Sequence, residues 1–243
     1  MRTFHSPQDF WAVYGPLLIA FAIMAVLTFL FLRLLLSARR QSEMELARLL
    51  AHDPRLYLER LEHNRLLKLV FRKPVLLLYR MDGYMKTGDD TGLREMIAQM
   101  DKMTLEPRDR VDYLQKRMSF FISVNEKEEA RDSFRRLERY LTSVKAEEKE
   151  PYRDILEEGR EIVAVYLDRE VSRIPELEEK AEKTTQPVRK GILYFRLAKL
   201  SHFHGDTEAR ERYLKLAAPL LARTDYEDII LQAFTHPDLL EMK

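Results

Sequence analysis

His202 and His204 are the side chains in this 243-residue chain that most invite a metal ion. Two imidazoles share an ion from one helical face only when spaced by three or four; a spacing of two points them to different sides. They also close a predicted helix, where histidine complements the negative end of the dipole. A metal role is therefore not expected. His52, Glu59 and His63 form a second candidate set, but Asp53-Pro54 interrupts the register between the histidines and leaves them at the surface. Gly88-Asp89-Asp90-Thr91-Gly92 has the small residues of a phosphate or cation loop without the length, the lysine or the alternating carboxylates. A turn, with Asp90 capping the next helix, accounts for it. The chain has no cysteine, which excludes disulfides, thiolate nucleophiles and cysteine-ligated metals. No Ser/His/Asp arrangement or nucleophile elbow stands out. The expectation is a protein that is not an enzyme and holds no cofactor or metal, whose work is done by surfaces.

The elements that position those surfaces start from one stretch. Phe10 to Leu32 carries no charge and, after Pro16, no polar residue except Thr28. As a helix it would reach about 35 Å, enough to cross a hydrocarbon core of about 30 Å with some tilt. A cleaved signal peptide is the competing reading. Its apolar region is typically about 7–15 residues, shorter than this one, and Arg39 and Arg40 follow closely here. Residues 1–38 are thus read as a single-pass transmembrane anchor. Trp11 and Tyr14 stand at the expected interface, and Gly15-Pro16 is expected to kink the first turn. The N-terminal flank offers Arg2 alone; Arg33, Arg39, Arg40, Arg48 and Arg55 follow the span. That bias places the N-terminus outside the cell membrane and the C-terminal domain in the cytoplasm.

Beyond the anchor the composition is balanced. Arg2, Arg33 and Asp9 are the charges ahead of Arg39, which leaves 39 of each sign. A formally neutral domain lacks the electrostatic footprint of nucleic-acid binding, so no nucleic-acid partner is expected. Residues 39–73 form a juxtamembrane region. Ser42 and Glu45 have capping-box spacing, and Asp53-Pro54 restarts the helix as N-cap and first residue. The leucine-rich segment Arg55 to Lys73 has two readings: an amphipathic helix lying on the anionic leaflet, or a capping helix with its leucines in the core. The second is preferred. Met96, Met100 and Met103 recur at helical spacing and are read as core. The run Lys145 to Glu150 is a solvated connection.

Four paired helical patterns follow. Pro74 to Thr87 and Asp90 to Met103 flank Gly88; Pro107 to Val124 and Glu126 to Val144 flank Asn125. Pro151 to Leu167 and Arg169 to Thr184 flank Asp168; Pro187 to His204 and Asp206 to Arg223 flank Gly205. Each first helix begins at or near a proline, and each pair turns on Gly, Asn or Asp. Pro175 is expected to break the second helix of the third pair. A recurrence of roughly 40 residues indicates stacked helical hairpins.

The fourth pair carries a resemblance. Tyr194, Leu197, Ala198, Gly205, Ala209, Tyr213 and Ala217 resemble the tetratricopeptide repeat, in which small residues let antiparallel helices approach and aromatics fill the gap to the next pair. Leu77, Met81, Tyr84, Gly88, Leu93, Ile97 and Met100 follow it more loosely in the first pair, and Leu114, Met118, Ala130 and Phe134 in the second. The resemblance implies an all-α solenoid of about four hairpins over residues 74–223, with residues 224–243 as a C-terminal cap in which Asp225 to Phe234 covers the far end. It also implies a groove lined by first helices, with Asp82, Met85, Gln115, Ser119, Phe195, Lys199 and His202 facing a peptide or protein partner. The family's clamp for a C-terminal carboxylate needs Lys and Asn where Leu78 and Asp82 stand in the first repeat, so that mode is not expected. The implied function is a membrane-anchored interaction scaffold. The alternative is a structural subunit of a larger membrane complex, held through its span and juxtamembrane helix.

Overall fold

A single helix, α1 (Pro7–His52), runs through the apolar stretch and well past it. The structure is a computed structural model that describes residues 7–144 and 150–242, and all regular structure among them is helical. Residues 1–6 of the anchor, the Trp11 side chain and residues 145–149 of the mixed-charge connection lie outside the described residues. At 1.5 Å per residue the 46 residues of α1 extend about 70 Å, roughly twice a hydrocarbon core. The helix continues through Pro16. It also passes Ser42 without a break, so the capping-box spacing at Ser42 marks no helix start: a residue inside a running helix already has its backbone N–H engaged. From Pro16 onward α1 is long and apolar enough to cross a membrane. Its large side chains are bare, with Leu17 67%, Phe21 73% and Leu34 69% exposed.

The chain divides into two compact units, Met1–Leu105 and Glu106–Lys243. This boundary falls inside the segment 74–223, after its first hairpin.

In the first unit, Asp53 caps α2 (Pro54–His63) by accepting from the Leu56 N–H at 3.0 Å, with Pro54 in the first turn as expected. The leucine-rich segment Arg55 to Lys73 divides at Asn64. The Asn64 side chain accepts from the Leu66 N–H at 2.9 Å and starts α3 (Arg65–Val70). Leu46, Tyr57, Leu61, Leu67 and Phe71 form a core between these helices, with the Tyr57 hydroxyl donating to the Tyr79 carbonyl at 2.9 Å. The hairpin of α4 (Lys73–Thr87) and α5 (Asp90–Met100) turns at Gly88, whose φ of 69° lies in the left-handed region. Asp89, not Asp90, is the cap: its carboxylate accepts from the Gly92 N–H at 2.9 Å. Met96 and Met100 are core residues and Met103 is half-buried.

The second unit opens with the hairpin of α6 (Pro107–Ser123) and α7 (Lys127–Ser143), which turns at Asn125 with φ 59°. Its partner helices are stapled by Arg117, whose buried guanidinium reaches Glu129 at 2.7 Å, Asp132 at 3.1 Å and Ser133 at 2.6 Å. Next come α8 (Arg153–Ile162), a π-helical turn over Val163–Leu167, and α9 (Ile174–Lys183). Here the left-handed turn residue is Arg169 (φ 55°), one place after Asp168. The expected interruption of Arg169 to Thr184 falls just before Pro175: a 3-10 turn over Val171–Arg173 precedes α9, and Pro175 sits in its first turn, where its missing N–H costs nothing.

The tightest hairpin is α10 (Pro187–His204) with α11 (Thr207–Leu220), the pair that carried the repeat signature. Ala198 and Ala217 are fully buried, and Tyr194 stacks on Tyr213 at 6.5 Å. A Cβ at Gly191 would fall 2.7 Å from Leu221, so these helices meet closer than any larger residue permits. Gly205 turns the hairpin at φ 80° with open space around it. Gly205→Ala should therefore act through backbone strain alone, lowering stability by about 1 kcal/mol. The check is a shifted urea midpoint with an unchanged slope. Two short helices, α12 (Glu227–Ala233) and α13 (Leu239–Met242), complete the unit and bury Ile230, Ala233 and Leu240 in its main core.

Candidate functional site

The second unit contains an open cleft of about 510 Å³. That volume is in the range of ordinary ligand pockets, about 300–1,000 Å³. One wall comes from the helices that open the pairs: Ser119 and Ile122 of α6, Ile162 of α8, Tyr166 of the π turn, Phe195 and Arg196 of α10. The other wall is Tyr226 with Ile229 and Gln232 of α12, and Leu239 of α13, with Asp225 and Asp228 among its acidic lining.

The π turn accounts for Tyr166. Its wider register is closed by the Asp168 N–H donating to the Val163 carbonyl at 3.0 Å, five residues back. Val165 and Leu167 are thereby buried while Tyr166 lines the cleft. Such one-turn widenings recur where a side chain has to be re-aimed. Burial pushes the Tyr166 phenol up to about 12, so it stays a neutral donor across physiological pH.

Beneath this surface lies a buried charge network. The Arg196 guanidinium is 5% exposed and is held by Glu158 and Glu161 of α8, and Glu161 also receives Lys180 of α9. Burial works to raise the Glu161 carboxyl, but the Arg196 charge and the Lys180 hydrogen bond outweigh it, so its pKa is lowered. Arg196 is in turn held more strongly protonated than a free guanidinium by Tyr166 and the two glutamates, against the pull of its own burial. The network fixes α10 against α8 and α9 and so sets the wall of the cleft.

Of the residues expected in a groove, Ser119 is exposed at this cleft, whereas Phe195 is a core side chain, 1% exposed, beneath its floor; Gln115 is half-buried one turn earlier on α6. Lys199 and His202 are engaged from within the chain. The Lys199 ammonium is buried, donates to the Leu240 carbonyl and lies 4.8 Å from the Tyr166 ring. His202 Nε2 is 3.2 Å from a Glu241 carboxylate oxygen, and Arg169 approaches the other oxygen at 3.9 Å. A partner reaches Lys199 only if α13 leaves, while His202 is half-buried beside Glu241. Asp82 is half-buried and Met85 39% exposed, both on α4 in the first unit. Burial lowers the Lys199 ammonium to about 7, helped by the nearby Arg169 charge and opposed by Glu241.

Tyr166, Arg196, Tyr226 and Ile229 were not expected at a site. Arg196 did carry a signal: it shares with Lys199 the otherwise apolar run Ile192 to Leu200, where a cation needs an internal partner. Tyr166 sits in the pair with the weakest pattern, and Tyr226 and Ile229 in the segment read only as a cap. His204 is exposed, and His63 Nδ1 lies 3.1 Å from the Glu59 carbonyl rather than beside its carboxylate. Among the described residues no three His, Asp or Glu side chains converge as metal ligands.

No family model matches the chain, and neither a curated protein nor a solved structure is detectably similar to it.

Proposed function

We propose that this protein is a membrane-anchored, noncatalytic adaptor whose tetratricopeptide-like hairpins hold an apolar segment of a partner protein in the cleft of the second unit. The apolar stretch of α1 is the span, with the N-terminus outside and the helical units in the cytoplasm. The observation that carries the reading is the cleft itself. Tyr166, Tyr226 and Ile229 offer aromatic and aliphatic surface above the buried Phe195 and Arg196, while Asp225, Asp228 and Gln232 supply polar groups that orient a bound segment. Binding energy in such sites concentrates in a few aromatic and Arg anchors, and a helix or extended peptide with two or three large apolar side chains suits a cleft of this size.

A photoreactive benzophenone residue replacing Ser119 in the full-length protein, irradiated in cells, tests this. A discrete protein adduct that Ile229→Asp abolishes is the expected result. An adduct pattern indifferent to Ile229→Asp, or none, overturns the reading. The same experiment with an unrelated span separates the adaptor from a complex subunit: the adaptor keeps its adduct, and the subunit loses it.

A further inference from the structure

From Asn64 to Met81 the chain has no acidic residue, yet it holds Arg65, Lys68, Arg72, Lys73 and Arg80. In a protein with 41 basic and 40 acidic side chains this is a marked local asymmetry. Within it, α3 buries Leu67 and leaves Leu66 66% and Leu69 77% exposed. These are the most exposed leucines of the helices that follow α1. Arg65, Lys68, Arg72 and Lys73 are exposed around them.

Where this patch sits relative to the apolar part of α1 is fixed by two contacts. After the turn at Asp53 the chain folds back along α1, with Arg60 of α2 pairing with Glu45 at 3.1 Å. Farther back, the Arg39 guanidinium lies over the Phe71 ring, 5.5 Å from its centroid. Phe71 directly follows α3, and Arg39 is three residues beyond Leu36, the last large apolar residue before it, and seven beyond Leu32, where the uncharged stretch ends. Three and seven residues of helix are about 4.5 Å and about 10.5 Å, and the polar headgroup zone is roughly 5–8 Å deep on each side of the hydrocarbon core. The end of α3 therefore lies within the headgroup zone or at its outer edge whenever the apolar stretch spans a bilayer.

We infer that α3 is a lipid-contact element: Leu66 and Leu69 enter the boundary between headgroups and acyl chains while Arg65, Lys68, Arg72 and Lys73 engage anionic headgroups. The inference rests on the reading of α1 as a span. Three features select a lipid surface as the occupant: the continuity of the patch with that span, the basic side chains that flank two bare leucines in an acid-free run, and the depth set by Arg39 and Phe71. Interfacial helices combine an apolar face with Lys and Arg in this way. The core packing of Leu61, Leu67 and Phe71 coexists with this role, because α3 presents one face to the protein and another to the bilayer.

The absence of cysteine allows a direct test with single labels. Full-length protein carrying Leu69→Cys, Ile23→Cys or Glu95→Cys, each with an environment-sensitive fluorophore, is reconstituted into phosphatidylcholine vesicles with or without phosphatidylserine. Nitroxide lipids serve as quenchers. The expected result is quenching at positions 23 and 69 but not at 95. Quenching at 69 should grow with the phosphatidylserine fraction and fall in Arg65→Gln/Lys68→Gln, with position 23 unchanged. Quenching at 23 with none at 69 overturns the inference and leaves the span standing. No quenching at either position removes the span reading and this one with it. A label at 69 that is shielded from aqueous iodide but unquenched by nitroxide lipid is covered by protein, which also overturns the inference.

Discussion

Arg196→Met should cost the second unit about 3–5 kcal/mol, the penalty of leaving a buried ionic partner uncompensated. Glu161 is as deeply buried as Arg196, each side chain being 5% exposed, and would keep only Lys180 beside it. Hydrogen exchange across α8 and α10 in the full-length protein would read the loss as faster opening of that region. Adding Glu161→Gln should restore much of the protection, because the desolvated carboxylate, more than the missing attraction, is the source of the cost. If the double variant opens as readily as the single one, the network contributes through packing and the charge argument fails. The pH dependence follows from the lowered Glu161 pKa. Its unfolded value is near the ordinary 4.5, so its contribution is present above that pH and disappears as pH falls through the lower folded value. In Arg196→Met the folded pKa moves upward under burial, so the slope reverses and protonating Glu161 at acid pH relieves the fold instead of weakening it.

The same network marks where the sequence became hard to read. Hairpin boundaries were legible because each is set by local chemistry. Gly88, Asn125 and Gly205 do hold positive φ, and Asp53 does cap its helix. The misses are short-range competitions between neighbours. Asp89 rather than Asp90 reaches the Gly92 N–H, and Arg169 rather than Asp168 takes the left-handed turn. The site was less legible, since it depends on which helix lies across which. Repeat spacing marked Ser119, which is exposed at the cleft, and Phe195, which is buried beneath it, but nothing local to Tyr226 or Ile229 distinguishes a cap from a wall. Lys199 shows the limit most clearly. A lysine on the first helix of a hairpin reads as a groove residue, and only the path of the chain 41 residues later covers it.

That covering can be undone by one side chain. Leu240 is fully buried, and Leu→Ala at such a site removes about 2–5 kcal/mol. Its helix, α13, has four residues and few other core contacts, so Leu240→Ala should release α13 and leave the rest of the unit folded. Lys199 then loses the Leu240 carbonyl and regains water, and its pKa climbs from about 7 toward the ordinary 10.5. Docking of α13 accordingly expels a proton between those two values. Wild-type docking should tighten as pH rises from 7 to 10.5, by at most about 1.4 kcal/mol per pH unit, and should gain nothing from Lys199 below 7. Arg169 and Glu241 face the same ammonium and shape its titration, the first lowering and the second raising its pKa. A spin label at Asp238→Cys reports the outcome. In the wild-type background its mobile fraction should shrink on going from about pH 8 to about pH 10. In Leu240→Ala it should be mobile throughout, and in Lys199→Met its mobility should not change over that interval. A pH response that survives Lys199→Met would assign the proton to another group and detach the buried lysine from the hold on α13.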